Sequence, residues 1–242
     1  MKPVIIVQAR MTSTRLPGKV MKTVLGKPLL EFQVDRLRRA STADLAVAAT
    51  ENEADGPIAD LCERLAVPCF RGPEEDVLAR YHGAAASLQA DPVVRVTADC
   101  PVIDPAVVDR VVRYYLEHAG EYDYVSNCLS RTFPRGMDTE VFSREALDGA
   151  FRDAVDPTDR EHVTSFFYRH PERFRLGNVT HARDLSCHRW TVDTREDFLL
   201  VREILEDLYP RDPAFGMEDI LALFDRRPSL FRINAHVGQK VT

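Results

Sequence analysis

The chain has 242 residues, more than a typical domain of about 150 but within the range of a single open α/β sheet. Hydrophobic residues make up 45% and charged residues 29%, a composition that excludes disordered, collagen-like and repeat architectures. The net charge of −6 does not favour a general attraction to nucleic acid or to an anionic membrane. Any anion that binds must therefore be held by a local cluster of cations.

The apolar runs and the cysteines indicate the cellular compartment in which the protein is expected. The apolar runs are far shorter than the roughly 20 residues that cross a bilayer, so we expect no transmembrane helix, and a strand-like run so near Met1 predicts no signal peptide. The five cysteines are scattered and lack C-x-x-C spacing, which favours neither a zinc site nor a disulfide framework. A cytoplasmic location fits these features best.

The first two thirds of the chain alternate short apolar runs with segments of helical spacing, a pattern typical of a parallel sheet covered by crossover helices. The predicted strands are residues 3–9, 45–49, 67–70, 93–97 and 122–126. The predicted helices have apolar faces at Leu30, Val34 and Leu37, at Ile58, Leu61 and Leu65, at Val77, Leu78, Tyr81 and Leu88, and at Val108, Val111, Val112 and Tyr115. Asp104 and Pro105 are expected to open the last helix, with Asp104 as its cap.

After Asn127 the pattern changes, and we predict an inserted α+β subdomain at about residues 129–188. It contains a strand at 138–142, two short helical pieces and a strand pair around Leu176 and Trp190. Strand character returns at 189–192, and Thr194 with Asp197 forms a capping box that opens a helix. A closing helix is expected at 217–224. The predicted fold is thus a doubly wound, mostly parallel sheet in a single domain with an insertion.

The segment after the first strand, residues 8–19, is rich in cations and hydroxyls. Arg10, Arg15 and Lys19 lie there together with three hydroxyl residues and a Pro-Gly turn. In a doubly wound sheet this position is where ligands bind, and such groups suit a polyphosphate. The Walker pattern is absent, since Ser13 stands where it requires glycine. The alternative is a solvated basic turn with no ligand.

Two aspartates follow predicted strands. Asp99 comes just after the strand at 93–97, and Asp193 follows the one at 189–192. Carboxylates at one edge of a sheet suit Mg²⁺, which takes oxygen ligands and shares its shell with water and phosphate. The alternative is that each aspartate stabilises a turn or caps a helix, although Thr194 is the better cap and leaves Asp193 free. Together with the basic loop, the pair predicts in-line attack of a hydroxyl on the α-phosphorus of a nucleoside triphosphate.

The sequence resembles the cytidylyltransferases that activate acidic sugars. It is most similar to the SpsF-type branch of spore coat polysaccharide biosynthesis, in the same broad group as the CMP-3-deoxy-manno-octulosonate and CMP-acylneuraminate synthetases. Seven segments carry the resemblance, in the family's order: residues 8–19, 76–81, 95–104, 124–127, 136–142, 160–164 and 191–198. Together they extend over nearly the whole chain.

The resemblance implies a Rossmann-like fold of the nucleotide-diphosphosugar transferase type. It also implies CTP as the nucleotide, Mg²⁺ on Asp99 and Asp193, release of pyrophosphate, and a homodimer joined through the inserted segment, for surface polysaccharide biosynthesis. The base specificity rests on resemblance alone. The expected catalytic residues are Arg10, Lys19, Asp99 and Asp193. The expected nucleotide contacts are Ala9, Arg10, Ser13, Arg15, Lys19, Arg71, Gly72, Arg80 and Asp99.

The acceptor is expected to be an acidic sugar or a related hydroxy acid. Its predicted contacts are Arg135, Asp138, Glu140, Glu161 and His162. Asp138 and Glu140 fall on one face of an alternating strand and could contact a sugar hydroxyl, or they could face solvent. Arg135 departs from the family pattern, which usually has an acidic residue there, so it either reads an acceptor carboxylate or phosphate or is simply exposed.

Two other classes of function share such a fold. A sugar-nucleotide-dependent glycosyltransferase would normally hold its metal through an Asp-x-Asp triplet, and no strand end here carries one. A non-catalytic nucleotide-binding protein would be expected to have lost an aspartate or the loop lysine. Asp99, Asp193 and Lys19 are all present, which favours the enzyme.

Overall fold

The computed structural model describes residues 1–238, and its centre is a seven-stranded sheet. The strands are β1 (Val4–Gln8), β4 (Asp44–Thr50), β5 (Cys69–Gly72), β6 (Val93–Thr97), β7 (Tyr124–Ser126), β8 (Glu140–Phe142) and β9 (Leu176–Asn178). They lie side by side in the order β5-β4-β1-β6-β8-β7-β9. Within the described residues β8 pairs antiparallel with β6 and β7, and the other neighbouring pairs are parallel. The mostly parallel sheet is confirmed.

Helices connect the strands and cover both faces of the sheet. They are α1 (Leu29–Leu37), α2 (Gly56–Arg64), α3 (Val77–Leu88), α4 (Pro105–Glu117), α5 (Arg144–Asp153), α6 (Pro157–His162), α7 (Ser165–Arg169), α8 (Arg195–Leu208) and α9 (Met217–Arg226). Short 3-10 turns lie at Lys19–Met21, Glu53–Asp55 and Pro228–Arg232, and β2 (Thr23–Val24) pairs with β3 (Lys27–Pro28) in a small ribbon. The helices predicted in the first two thirds are confirmed.

The sheet separates two hydrophobic cores, and successive side chains of β1 alternate between them. Ile5 and Val7 are fully buried among α1, α2, α4, α8 and α9, whereas Val4 and Ile6 are buried among α3, α5 and α7. Because successive side chains of a strand point to opposite faces, a continuous run of Val and Ile is what a strand covered on both sides requires. The sheet is doubly wound, as its sequence pattern predicts.

Side-chain caps fix where the helices begin. The Asp104 carboxylate accepts from Ala106 N at 2.8 Å at the start of α4, as predicted. Thr194 Oγ1 accepts from Asp197 N at 3.3 Å, while the Asp197 carboxylate accepts from Thr194 N at 3.1 Å, so the predicted capping box of α8 is present. Both caps satisfy backbone donors that a helix N-terminus leaves without partners.

The predicted strand at 189–192 is wrong. This segment forms one isolated bridge between Arg189 and Arg135, and Val192 N donates to Asp99 O at 2.7 Å beyond it. Trp190 and Val192 are fully buried, so their spacing imitates a strand although the place beside β6 is occupied by β8. The strand predicted at 138–142 is shorter, because β8 begins at Glu140.

The segment at 129–188 is continuous with the main sheet, since β8 and β9 both lie in it. Its separate role in dimerisation stays a prediction. No helix within residues 1–238 is both long and apolar enough to span a bilayer.

Candidate active site

The basic loop between β1 and Lys19 is folded into a compact turn. Met11 N donates to Asp55 Oδ1 at 2.7 Å, and Gly18 N donates to Met11 O at 2.8 Å. Gly18 has a φ of 67°, a left-handed conformation that glycine adopts at little cost. The loop thereby returns towards the sheet and delivers Lys19 to the ends of the strands.

Lys19 lies between the two predicted metal-binding aspartates. Its Nζ is 2.9 Å from Asp99 Oδ2 and 2.8 Å from Asp193 Oδ1. Arg15 adds a second cation at 3.1 Å from the same Asp193 oxygen. The side chains of Lys19, Asp99 and Asp193 are 12%, 20% and 13% exposed, so the cluster is largely shielded from solvent. The structure therefore brings together the loop lysine and both carboxylates.

The contact between Lys19 and Asp99 changes the pKa of both side chains. Burial acts to raise the pKa of Asp99, but the Lys19 charge and a 2.5 Å hydrogen bond from Thr97 Oγ1 outweigh it and lower that pKa to about 2. Burial acts to lower the pKa of Lys19, and the two aspartates outweigh it and raise that pKa. Asp99 and Lys19 are therefore both ionised across the physiological range.

Asp193 does not cap α8, as predicted, since Thr194 does, but its carboxylate has a protein partner. Arg189 donates to its Oδ2 at 2.8 Å and to Asp197 Oδ1 at 2.9 Å. Asp197 is fully buried and also accepts from Asn234 Nδ2 at 2.8 Å. A buried network that begins in the capping box of α8 thus holds Asp193 in place, although no regular strand delivers it.

The aspartates have the chemistry that Mg²⁺ requires. Two carboxylates already bracket a cation, the Lys19 ammonium, and a metal ion shared with substrate phosphates needs few protein ligands. No group of three or more His, Cys, Asp or Glu side chains in residues 1–238 could hold a metal by itself. Binding of Mg²⁺ by Asp99 and Asp193 together with a nucleotide therefore stays a prediction.

These residues lie in the wall of a cavity of about 720 Å³ at the carboxyl ends of β1 and β6. Twelve of the predicted site residues line it: Arg10, Ser13, Arg15, Lys19, Arg80, Asp99, Arg135, Asp138, Glu140, Glu161, His162 and Asp193. Positions up to 180 residues apart in the sequence thus share one cavity, which is large enough for a nucleotide or a sugar.

Ala9, Arg71 and Gly72 do not line this cavity. Ala9 is buried, and Arg71 donates to the Thr50 carbonyl at 2.9 Å and to the Asn52 carbonyl at 2.8 Å, away from the ligand space. A Cβ on Gly72 would lie 3.2 Å from Arg80 Cγ. In this structure Arg71 and Gly72 therefore shape the loops beside Arg80.

The carboxylates predicted to bind the acceptor already have protein partners. Asp138 accepts from Arg131 through both oxygens, at 2.5 and 2.8 Å. Glu140 is buried and accepts from Tyr124 at 2.7 Å and from Thr164 at 2.6 Å, and Arg95 pairs with its other oxygen. Glu140 thus fixes the donors of the cavity wall, and its predicted contact with a sugar hydroxyl stays a prediction.

His162 and Thr164 flank a strained turn at the end of α6. Val163 between them has φ 60° and ψ −66°, and Thr164 N donates to His162 O at 2.6 Å across the turn. A β-branched residue rarely adopts this conformation. Val163 is fully buried, so packing compensates for the strain and holds both flanking residues at the cavity.

The sequence did not predict several residues of the site. In the cavity wall they are Thr97, Arg95, Arg131 and Thr164, and outside it Arg189, which donates to Asp193 at 2.8 Å. Arg95 carried a usable signal, because a charged residue in the middle of the buried run at 93–97 must find a buried counter-charge. Arg131, Thr164 and Arg189 gave no such signal, because none of them interrupts a continuous apolar run.

Comparison with known proteins identifies the family of this chain. A family model described as cytidylyltransferase matches residues 4–233. The chain belongs to the cytidylyltransferase family. Its SpsF-type resemblance is likewise confirmed by the spore coat polysaccharide biosynthesis protein SpsF of Bacillus subtilis, which is 29% identical over 92% of this chain and 94% of its own length.

Two further similarities support the family membership. A 3-deoxy-manno-octulosonate cytidylyltransferase of Geobacter metallireducens is 30% identical over 76% of each chain. The solved structure of a cytidylyltransferase from Leptospira borgpetersenii superposes with a TM-score of 0.92 at 32% identity, covering 100% of this chain and 99% of that one. The cytidylyltransferase fold therefore extends over the described chain, including the segment at 129–188.

Proposed function

We propose that this cytidylyltransferase transfers CMP from CTP to a hydroxyl of an acidic sugar or related hydroxy acid and releases pyrophosphate. The observation that carries the proposal is the Lys19 ammonium held between Asp99 and Asp193 in a cavity of about 720 Å³. The cavity has cations for phosphate groups and two carboxylates for a metal ion. Those are the groups that nucleotidyl transfer requires.

The residues of the basic loop would bind the triphosphate. Lys19, Arg15 and Arg10 all line the cavity, and a ligand phosphate could replace Asp193 as the partner of Arg15. Backbone donors of the folded loop add to this cradle. Catalysis then depends on positioning and on neutralising charge on the pyrophosphate leaving group, and no side-chain nucleophile is required.

Asp99 and Asp193 would hold Mg²⁺. When bound, this ion neutralises phosphate charge and polarises the α-phosphorus for attack by the acceptor hydroxyl. Arg189 and Thr97 keep the two carboxylates in position, at 2.8 Å from Asp193 and 2.5 Å from Asp99. We further propose a role in surface polysaccharide biosynthesis, on the similarity to SpsF. A cytoplasmic location and a homodimer remain proposals from the sequence.

The test measures pyrophosphate release with Mg²⁺, one nucleoside triphosphate at a time, and a set of acidic sugars that includes 3-deoxy-manno-octulosonate. Release is expected with CTP and to be at least about 10-fold slower with UTP, GTP or ATP. Lys19→Ala should raise the KM for CTP by about 100-fold, since it removes a charged contact to the phosphates. The acceptor KM should change far less.

Lys22→Ala is the matched control. Lys22 lies three residues further on, contacts the Phe198 ring and does not line the cavity, so its loss should leave the KM for CTP unchanged. An enzyme that neither binds CTP nor releases pyrophosphate with any acid in the set would contradict the proposed function. A Lys19→Ala variant with normal nucleotide dependence would remove the loop from the phosphate site.

A further inference from the structure

Arg135 is a cation of the cavity wall that makes no ion pair within residues 1–238, although the charge of Asp138 acts on it. Within residues 1–238, Lys19 and Arg15 pair with the aspartates, Arg95 with Glu140, Arg131 with Asp138, and Arg10 lies 4.0 Å from Glu161. Buried Arg80 donates to the Pro73 carbonyl at 2.7 Å. The Arg135 guanidinium has neither a hydrogen bond nor an ion pair to any residue in the same range, although it is only partly exposed.

The backbone around Arg135 is fixed. Arg135 N donates to His188 O at 3.0 Å, and Arg135 O accepts from Trp190 N at 2.7 Å. Gly136 follows with φ 104°, so close to the Trp190 backbone that a Cβ would lie 2.8 Å from its carbonyl carbon. The side chain therefore extends from a rigid anchor rather than from an adaptable loop.

The surroundings of Arg135 favour an incoming anion. Burial lowers the pKa of Arg135 and the neighbouring Arg131 charge lowers it further, but a guanidinium stays charged at neutral pH. Arg135 lines the cavity of about 720 Å³ that Asp99 and Asp193 also line. It also borders a separate depression of about 120 Å³. A partly buried cation without a partner is costly, and a ligand anion in the large cavity would remove that cost.

We propose that Arg135 binds the anionic group of the acceptor, a carboxylate or a phosphate, and so selects acidic acceptors over neutral ones. The planar guanidinium offers two parallel donors that match either group. The inference rests on the proposed function, since it assigns the acceptor end of the same site. Arg135 sets specificity, whereas Lys19 and the two aspartates serve the nucleotide.

The test compares binding of matched acceptor pairs in the presence of Mg²⁺ and a CTP analogue with a methylene bridge between the α- and β-phosphorus, which prevents turnover. The pairs are 3-deoxy-manno-octulosonate with its methyl ester, and glucose 1-phosphate with glucose. Calorimetric titration of wild type is expected to show at least about a 10-fold preference for the anionic member of one pair. That pair identifies the anion as carboxylate or phosphate.

Variants assign the preference to a residue. Arg135→Ala should abolish the preference for the anionic acceptor. Arg135→Lys should retain part of this preference, because the positive charge remains while the two parallel donors of the guanidinium are lost. Both variants should bind the CTP analogue as wild type does. Arg152→Ala removes a 70% exposed arginine outside the cavity and should behave as wild type. The unfolding midpoint without ligand should not fall in Arg135→Ala, since the side chain has no protein partner to lose and its removal relieves the cost of a partly buried cation.

The outcomes separate this inference from the proposed function. An anion preference that survives in Arg135→Ala, or that is absent from wild type in both pairs, overturns the role of Arg135. A wild-type protein that does not bind the CTP analogue contradicts the proposed function instead. Binding of the analogue without any anion preference leaves the nucleotide site intact and refutes only the acceptor assignment.

Discussion

At the scale of single residues, the site depends on how a few ionised groups neutralise one another. Asp99 is surrounded by Lys19 at 2.9 Å and Thr97 at 2.5 Å, and both favour its ionised form. A carboxyl whose pKa is lower in the folded than in the unfolded chain stabilises the fold above the unfolded pKa of about 3.9. This stabilisation is lost as the pH falls through the folded pKa of about 2.

Asp99→Asn tests this balance. The substitution should reduce the free energy of unfolding by about 3 kcal/mol at pH 7, because a shift of roughly two pKa units corresponds to about 1.4 kcal/mol per unit. The difference from wild type should be constant between pH 5 and 8 and should shrink below pH 4, as urea unfolding at each pH would show. Asp60→Asn, at an exposed position of α2, is the control and should have no such effect. A difference that grows on acidification would refute the assignment.

At the scale of elements, the 189–192 segment matters because it joins the two ends of the site. It is held to Arg135 by a single bridge and to the Asp99 carbonyl by hydrogen bonds from Val192 N and Thr191 Oγ1, rather than by a ladder. Gly136 permits this close approach, since it has no side chain and adopts a positive φ. The same backbone bridge therefore links Arg135 to the segment that leads to Asp193.

Gly136→Ala should disrupt this contact. A methyl group would lie 2.8 Å from Trp190 C, so we expect a loss of about 2 kcal/mol in the free energy of unfolding beyond the cost of a positive φ. Gly120→Ala is a matched control with φ 85° and no atom within 4 Å, and it should show the cost of the conformation alone, about 1 kcal/mol. Equal urea midpoints for the two variants would show that the contact has no importance for stability.

At the scale of the whole molecule, the N-terminal and C-terminal parts are joined through buried arginines as well as through the sheet. Arg36 on α1 is 1% exposed and donates to the Ile103 and Phe215 carbonyls, each at 2.7 Å. Its guanidinium also stacks on the Phe215 ring at 4.1 Å. A buried charge with such partners connects α1 to the loops before α4 and before α9.

Arg36→Ala should therefore destabilise the whole chain. It leaves two buried carbonyls without donors and opens a cavity, so we expect a loss of at least about 3 kcal/mol in the free energy of unfolding. Arg39→Ala is the matched control, because exposed Arg39 donates to the Pro213 carbonyl at 2.8 Å from the same end of α1. Its loss should cost less than about 1 kcal/mol. Similar urea midpoints for the two variants would contradict a joining role for Arg36.

The sequence by itself determined the features that depend on neighbours in the chain. The buried Val and Ile runs of β1 and β6, the Asp104 cap and the capping box of α8 all follow from spacings of a few residues. The basic loop and Asp99 were found in the same way, because ligands of a parallel sheet bind where its strands end. The predictions of CTP and of an acidic acceptor rest on the family resemblance, since no spacing encodes them.

Only the tertiary structure decided which charges meet. Lys19 pairs with carboxylates 80 and 174 positions away in the sequence, and Arg71 turns to backbone carbonyls instead of the cavity. The 189–192 segment has a strand pattern without a strand ladder, because β8 occupies the place beside β6. Local patterns record burial and turns, whereas hydrogen-bond and ion partners depend on which segments the fold brings together.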